Sequence, residues 1–403
     1  VPVLSGQILH TGKNFVIDRI QTAGAGDINL NAEKIYELGN YKTVATVFGT
    51  PDTSFTLESL DMSCEIEALF LNQDPTTITN HQEFDFLDSV PLDIISPYKS
   101  RKNQYDIVKG VVTPYLTLER LQYSFSTTAN ASISATLRGD AIYYTPGTPY
   151  YEEFTNTGPG TYSFAHTATV YDDGANDNYA LSVCLRDSDS NAYQRLFLGD
   201  DYTNTSTGVT LTGDDLSATY DTVCVTYGST VSANYPQSVH QGVSIKPAAV
   251  KGRNIDVYIG TSAATPVFTR LRGVQSAQVT RSVTLTNDEE LGNPHYTSSD
   301  YDVADVTGSL TVRPLNVTSM FDQIASLAGV SNTEVVGPLS SQPLPMRIEV
   351  SSPDTGAVIK TIYISDARLT VPGTQGRANQ RLDLTLSFSS DEGNFIVVNG
   401  TMA

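Results

Sequence analysis

Two segments far apart in the chain alternate apolar and polar side chains in the same phase. In ASISATLR, Ile133, Ala135 and Leu137 alternate with Ser134, Thr136 and Arg138. In LDLTLSFS, Leu384, Leu386 and Phe388 alternate with Thr385, Ser387 and Ser389. A period of two sends every second side chain to one face, so each segment is predicted to be a strand with one apolar and one polar face. A shift of 251 residues superimposes the two sets and carries Lys109 onto Lys360. A slip of one residue would invert the faces, so the shared phase predicts a shared fold.

Further upstream the same duplication shows in short motifs. Ile20-Gln21-Thr22-Ala23 is matched by Val274-Gln275-Ser276-Ala277, and Glu37-Leu38-Gly39-Asn40 by Glu290-Leu291-Gly292-Asn293. SFTLESLD, which begins at Ser54, is matched by SLTVRPLN, which begins at Ser309. Three matches in order, at nearly constant offset, predict an internal repeat. Each unit reads as a strand pair, an ELGN-containing connection, another strand, a short helix and closing strands. The helices are predicted in MSCEIEALF and in TSMFDQIASLAG, where Met320, Phe321 and Ile324 share a face and Gly329 is a stop. The ELGN connections, residues 37–51 and 290–303, hold Gly, Pro, Asn and Tyr without clear periodicity. They are read as loops of a length that is uncommon unless functional. The predicted division is a first repeat over 1–147, a different segment over 148–242 and a second repeat over 243–403.

The middle segment alternates strand-like runs (YALSVCLRD, AYQRLFLG, DTVCVTYG) with turn clusters such as DDGANDN and GDDYTNTSTG. That pattern predicts a small β-sandwich-like domain inserted between the repeats, or a long elaboration of the first repeat. The segment carries twelve acidic residues against Arg186 and Arg195, so it holds half of the chain's net charge of −20. Asp172 to Asn178 offers oxygen ligands and a turn glycine, which suits weak calcium binding or a solvated turn; EF-hand spacing is missing. The tyrosines from Tyr143 to Tyr151 fit either an interface or a half-buried strand leading into a linker.

Composition narrows the function classes. With 24 Lys and Arg against 44 Asp and Glu, the chain lacks the basic face of a duplex-binding protein. Its 22 Tyr and 14 Phe, with 29 Gly and 19 Pro, are the composition of a folded protein of short strands and many turns. Three cysteines argue against a disulfide framework; Cys184 and Cys224 sit in strand-like runs that could be neighbours, as buried free thiols. The sequence holds no apolar run long enough to span a membrane. VPVLSGQILHTG has neither a basic n-region nor an h-region, so no signal peptide is expected there and a soluble protein made in a cytoplasm is. The five histidines are scattered singly, without metal-ligand spacing, and no nucleophile elbow, P-loop or dinucleotide fingerprint is present. No enzyme, cofactor or metal is expected.

The repeated unit resembles the tail tube domain of tailed bacteriophages. The resemblance rests on VQSAQVTRSVTLTNDEELGN leading into DVTGSLTVRP, then a short helix and closing strands of the LDLTLSFS kind. IQTAGAGDINLNAEKIYELGN followed by DTSFTLESLD is the weaker counterpart, and the insert is not covered. It implies a mainly β chain of two tandem tail-tube-type antiparallel domains, each with a short helix. In that family six such domains close a many-stranded antiparallel β-barrel ring, and rings stack into a hollow tube. Two domains per chain then imply a homotrimer with pseudo-hexameric symmetry.

Site roles follow from the resemblance. Glu37, Leu38, Gly39 and Asn40, with Glu290, Leu291, Gly292 and Asn293, correspond to the loop that reaches the adjacent ring, unless that loop folds back on its own domain. The candidate lumen-facing residues are Ser134, Thr136, Arg138, Thr385, Ser387 and Ser389. The implied partners are the chain itself, the tape measure protein, the tail terminator and the tail tip proteins, with viral DNA passing unbound. The implied location is the virion tail, assembled in the host bacterial cytoplasm. The insert is expected outside the tube, where it would obstruct a sheath and so favours a non-contractile tail. The same residues also fit a different class, a β-sandwich adhesin or receptor-binding tail component that uses the acidic insert, with or without calcium.

Overall fold

The structure, a computed structural model, describes residues 3–4, 7–10, 13–15, 20–25, 28–29, 32–36, 43–71, 73, 78–86, 91–99, 107–145, 147–172, 177–187, 193–212, 219–231, 249–261, 265–290, 295–302, 304–313, 326, 343–370, 383–390, 393 and 395–402. The protein is mainly β, with several antiparallel sheets. Eight strands matter most for function. In the first repeat they are β1 (Ile20–Ala25), β2 (Thr53–Ser59), β3 (Ile107–Ser126) and β4 (Ser132–Gly139). In the second they are β5 (Val274–Ser282), β6 (Asp305–Val312), β7 (Val358–Thr370) and β8 (Leu384–Ser390).

Their order in space repeats as the sequence repeats. The strands run β1-β2-β4-β3-β5-β6-β8-β7, all antiparallel, so each repeat contributes the same four-strand pattern to one sheet. Register is conserved as well. Thr117 faces Arg138 and Leu118 faces Leu137; 251 residues on, Arg368 faces Ser389 and Leu369 faces Phe388. Ala23 opposite Leu57 is matched by Ala277 opposite Leu310. This last pairing corrects the motif alignment of the third strand. Leu57 is equivalent to Leu310, whereas aligning Ser54 with Ser309 equates it with Val312. The error is two residues, so it preserves the strand's faces and leaves no trace in the alternation.

β3 is long because it serves two sheets, and β7 because it pairs with different strands along its length. Residues 107–113 of β3 pair with Leu92–Lys99 and Tyr143–Thr145, and residues 117–126 pair with β4 and β5. The pairing with Leu92–Lys99 is interrupted at Pro114 and Tyr115, and after Leu116 opposite Leu92 the strand passes to β4 at Thr117. Proline has no N–H to donate to a ladder, and Tyr115 has φ 55, a conformation that re-aims the strand. β7 likewise pairs with Leu344–Ser351 and Phe395–Asn399 before it reaches β8. No path through the pairings returns to its start, so among the described residues the sheet is open.

One apolar core underlies both repeats. Leu57, Leu121 and Ile133 of the first join Val279, Leu310 and Leu386 of the second. The predicted first helix is present as α1 (Glu65–Phe70), entirely buried, and its turn of entry is held by Ser63 N–H donating to Asp61 Oδ1 at 3.0 Å. In the predicted second helix only Ser326 is described, and it is helical. Size is exchanged between the copies at one core position. Phe55 faces Leu137 in the first repeat, whereas Gly308 faces Phe388 in the second. A Cβ on Gly308 would lie 2.2 Å from Phe388 Cζ and 2.3 Å from the Gln278 carbonyl oxygen. Gly308→Ala is therefore expected to cost about 1–3 kcal/mol by overpacking, read from urea unfolding, while Gly24→Ala, with nothing within 4 Å, changes little.

The insert is a two-sheet unit, as its pattern predicted. Thr148–Thr155, Thr222–Ser229, Ala180–Arg186 and Tyr193–Arg195 form one sheet, and Gly160–Ser163, Gly208–Leu211 and Tyr202–Thr205 the other. Tyr162, Val183, Val209, Val225 and Tyr227 fill its core, with Phe164 stacked on Tyr227. Cys184 and Cys224 are cross-strand partners, and both are buried free thiols. Tyr143 begins the half-buried strand that leads into this unit.

Candidate functional site

The six residues singled out from the alternation lie on one face. Ile133, Ala135 and Leu137 of β4 are buried and their neighbours half-buried; in β8 Leu384, Leu386 and Phe388 are buried while Thr385, Ser387 and Ser389 are exposed. The paired register carries that face across all eight strands. One row runs through Thr22, Glu58, Ser134 and Gln122 in the first repeat. It continues through Thr280, Thr307, Ser389 and Arg368 in the second. The next row holds Ser132, Ser124, Gln278, Ser309, Ser387 and Thr370. The outcome is a broad face of hydroxyls and amides opposite the apolar core.

Its arginines in the first repeat are held by neighbours. Arg120 Nη2 donates to Gln122 Oε1 at 2.7 Å, and Gln122 Nε2 donates to Ser124 Oγ at 3.2 Å. Arg138 donates to both oxygens of Asp52, at 2.9 and 2.7 Å, and reaches Glu119 at 3.5 Å. The strongest positive charge among the predicted residues is thus held in a bidentate pair. Sequence reasoning missed the contribution of β3 to this face, although LTLERLQYSFS alternates. A bulge between Leu118 and Arg120 changes the phase midway, and a single fixed period does not detect that.

The two repeats are joined by strand pairing and by a buried charge. β3 of the first repeat pairs with β5 of the second from Arg120–Ser282 to Ser126–Ser276. Beneath the sheet, the Lys360 ammonium from β7 meets Glu67 Oε1 from α1, which also accepts from Tyr123 Oη at 2.5 Å. All three side chains are fully buried. Burial alone would push the Lys360 ammonium down; the charge and hydrogen bond of Glu67, helped by nearby Cys64, reverse this and hold it raised. Lys109 occupies the corresponding strand position in β3, opposite Tyr98.

The connections over 37–51 and 290–303 hold strands where unpatterned loops are expected from sequence. Ala32–Tyr36 pairs with Thr43–Phe48, and Leu285–Glu289 pairs with Tyr296–Tyr301. Each pair of strands forms a two-stranded arm. Asn287, Thr286 and Asp288 of the second arm range from half-buried to exposed. A ribbon with little buried on either face needs no apolar period, so no alternation marks it. Glu290 is described and exposed. Glu37, Leu38, Gly39, Asn40, Leu291, Gly292 and Asn293 lie outside the described residues, as do residues 173–176 of the calcium-like turn.

The insert is anchored to the first repeat by a buried carboxylate and an apolar patch. Asp93, 1% exposed, accepts from Tyr115 N–H at 3.0 Å and from Thr226 Oγ1 at 2.7 Å. Ile95 and Val112 pack there against Tyr151, Leu181, Cys184 and Cys224. A second carboxylate, Asp140, gathers groups from three parts of the chain. Its Oδ2 accepts from Arg195 Nη1 at 2.6 Å and Tyr296 N–H at 3.0 Å, and His295 Nδ1 lies 3.2 Å away. Burial pushes the Asp140 carboxyl up, but contact with His295 and the Arg195 charge outweigh it and hold the group lowered, at about 2.

No protein-family model matches this chain, and no curated protein matches it. Among the described residues no helix is long and apolar enough to cross a membrane.

Proposed function

We propose that the chain is a tail tube subunit of a tailed bacteriophage. Three copies close a ring of six repeats, and stacked rings form the hollow conduit for genome delivery into the host bacterium. The observation that carries this reading is the β3–β5 junction. It joins two equivalent four-strand units edge to edge while keeping one polar face continuous across both. Such a head-to-tail contact is heterologous, and it closes into a ring when the rotation permits. Among the described residues β1 pairs on one side only, with β2. By register Thr370, opposite Ser387, matches Arg120, opposite Thr136; the β7 positions that match Leu121 through Ser126 are 371–376, outside the described residues. In the proposed ring, β7 of a second copy meets β1 as β3 meets β5, which removes an exposed strand edge.

The polar face then lines the lumen. Hydroxyls and amides with few unpaired charges let DNA pass without the counterion release that drives phosphate binding. The arms reach the neighbouring ring. The insert decorates the outside, where its acidity aids solubility and its bulk favours a non-contractile tail. Tape measure, terminator and tail tip proteins are the partners this role requires, and catalysis is no part of it.

The test is light scattering and negative-stain microscopy of concentrated protein, with two edge variants. Neighbouring residues of a strand direct their N–H groups to opposite sides. Of Thr22→Pro and Ala23→Pro, one therefore removes a donor from the open edge and the other breaks the β1–β2 ladder. The wild type is expected to form trimeric rings or tubes, and one proline variant to remain folded and monomeric. A wild type that stays monomeric at every concentration, or rings unaffected by either proline, would overturn the proposal.

A further inference from the structure

The second arm does not hang free from the body. Its returning strand begins at Tyr296, whose N–H donates to Asp140 Oδ2 at 3.0 Å, and the Tyr296 carbonyl accepts from Arg195 Nη1 at 3.3 Å. Arg195 belongs to the insert, and its guanidinium also lies over the Tyr115 ring of the first repeat, 4.9 Å from the centroid. The Asp140 side chain is 1% exposed and that of Arg195 10%. Both border a cavity of about 280 Å³ shared by the first repeat, the insert and the arm. One buried carboxylate thus closes a circuit among segments that are 55 and 156 residues from it in sequence.

We propose that Asp140 is a positioning residue which, through Arg195, couples the insert to the second arm and sets the arm's direction before subunits meet. The insert is then a part of the assembly apparatus as well as an outer decoration. A buried ion pair is well suited to this work. Its charges are satisfied in only one geometry, and removing one partner strands the other, so it specifies an orientation more than it adds stability. Among the described residues this contact is made with the second arm.

The coupling itself is independent of the tail tube reading; its consequence for stacking rests on that reading. Hydrogen exchange on the isolated protein tests the coupling, comparing wild type with Asp140→Asn and Arg195→Met. Both variants are expected to speed exchange in residues 285–301 at least tenfold and to leave residues 305–312 of β6 unchanged. Arg195→Lys, which keeps the charge, is expected to restore part of the protection. Unchanged exchange in the arm of Arg195→Met, or equal loosening of β6, would overturn the proposal. In microscopy the variants are expected to give rings but few long tubes. Tubes of wild-type length would refute the role in stacking, and a wild type without rings would refute the tail tube reading while leaving the exchange result to decide the coupling.

Discussion

Replacing Lys360 by methionine is expected to lower the free energy of unfolding by about 3–5 kcal/mol, the usual consequence of breaking a buried ion pair from one side. The reason lies in what remains. Glu67 is fully buried on α1, and without the ammonium its carboxylate keeps Tyr123 Oη as its hydrogen-bond donor. The double variant Glu67→Gln with Lys360→Met removes both charges and keeps an acceptor for Tyr123. It is expected to recover at least half of the loss, because a neutral polar pair is far cheaper to bury than a lone charge. Urea titration of all three proteins provides the check. A single variant within 1 kcal/mol of wild type, or a double variant no better than the single, would show that the pair does not hold the repeats together. The position has a second interest. Lys360 comes from the second repeat and Glu67 from the first, so the stability measured is that of the junction between them.

In the proposed tube, lysines placed on the polar face are expected to make that face hold DNA. Thr136→Lys and Ser387→Lys add one charge in each repeat, at half-buried and exposed positions of the same face. In the proposed ring of three chains that makes six added charges, and the proposed stacking would multiply them along the duplex. Neutralising about 6–10 phosphates makes affinity fall by about 10³–10⁵ between 50 and 200 mM salt. Assembled variant tubes are therefore expected to retain duplex DNA at low salt and to release it steeply as salt rises, while wild-type tubes retain none. Thr203→Lys, on an exposed strand position of the insert, is the control for a charge placed outside. Equal retention by the insert control and the face variants would mean that the face does not line the path of DNA.

Much of the sheet was legible because burial on one face imposes a local period. The alternations in β4 and β8 named the polar and apolar residues correctly, and the order of motifs identified the repeat. The third strand was misaligned by two residues, since a two-residue slip leaves the faces unchanged and only pairing with Ala23 and Ala135 reveals it. The second arm gives no strand signal in the sequence, because a ribbon with no buried side chain along Leu285–Glu289 carries no apolar rhythm. The contribution of β3 was hidden by its bulge.

The sequence by itself determined the duplication, the strand-rich character, the sandwich-like insert and which side chains of β4 and β8 share a face. The duplication shows as recurring local motifs, and the others are properties of residues close together in the chain, where periodicity records the environment. Only the tertiary structure decided that the two repeats form one sheet over one core, and that Lys360 reaches Glu67 across 293 residues. It alone brought Asp140, Arg195 and Tyr296 to one point. Such contacts are made by single side chains at long separation. Their partners are chosen by the packing of whole sheets, which no local pattern encodes.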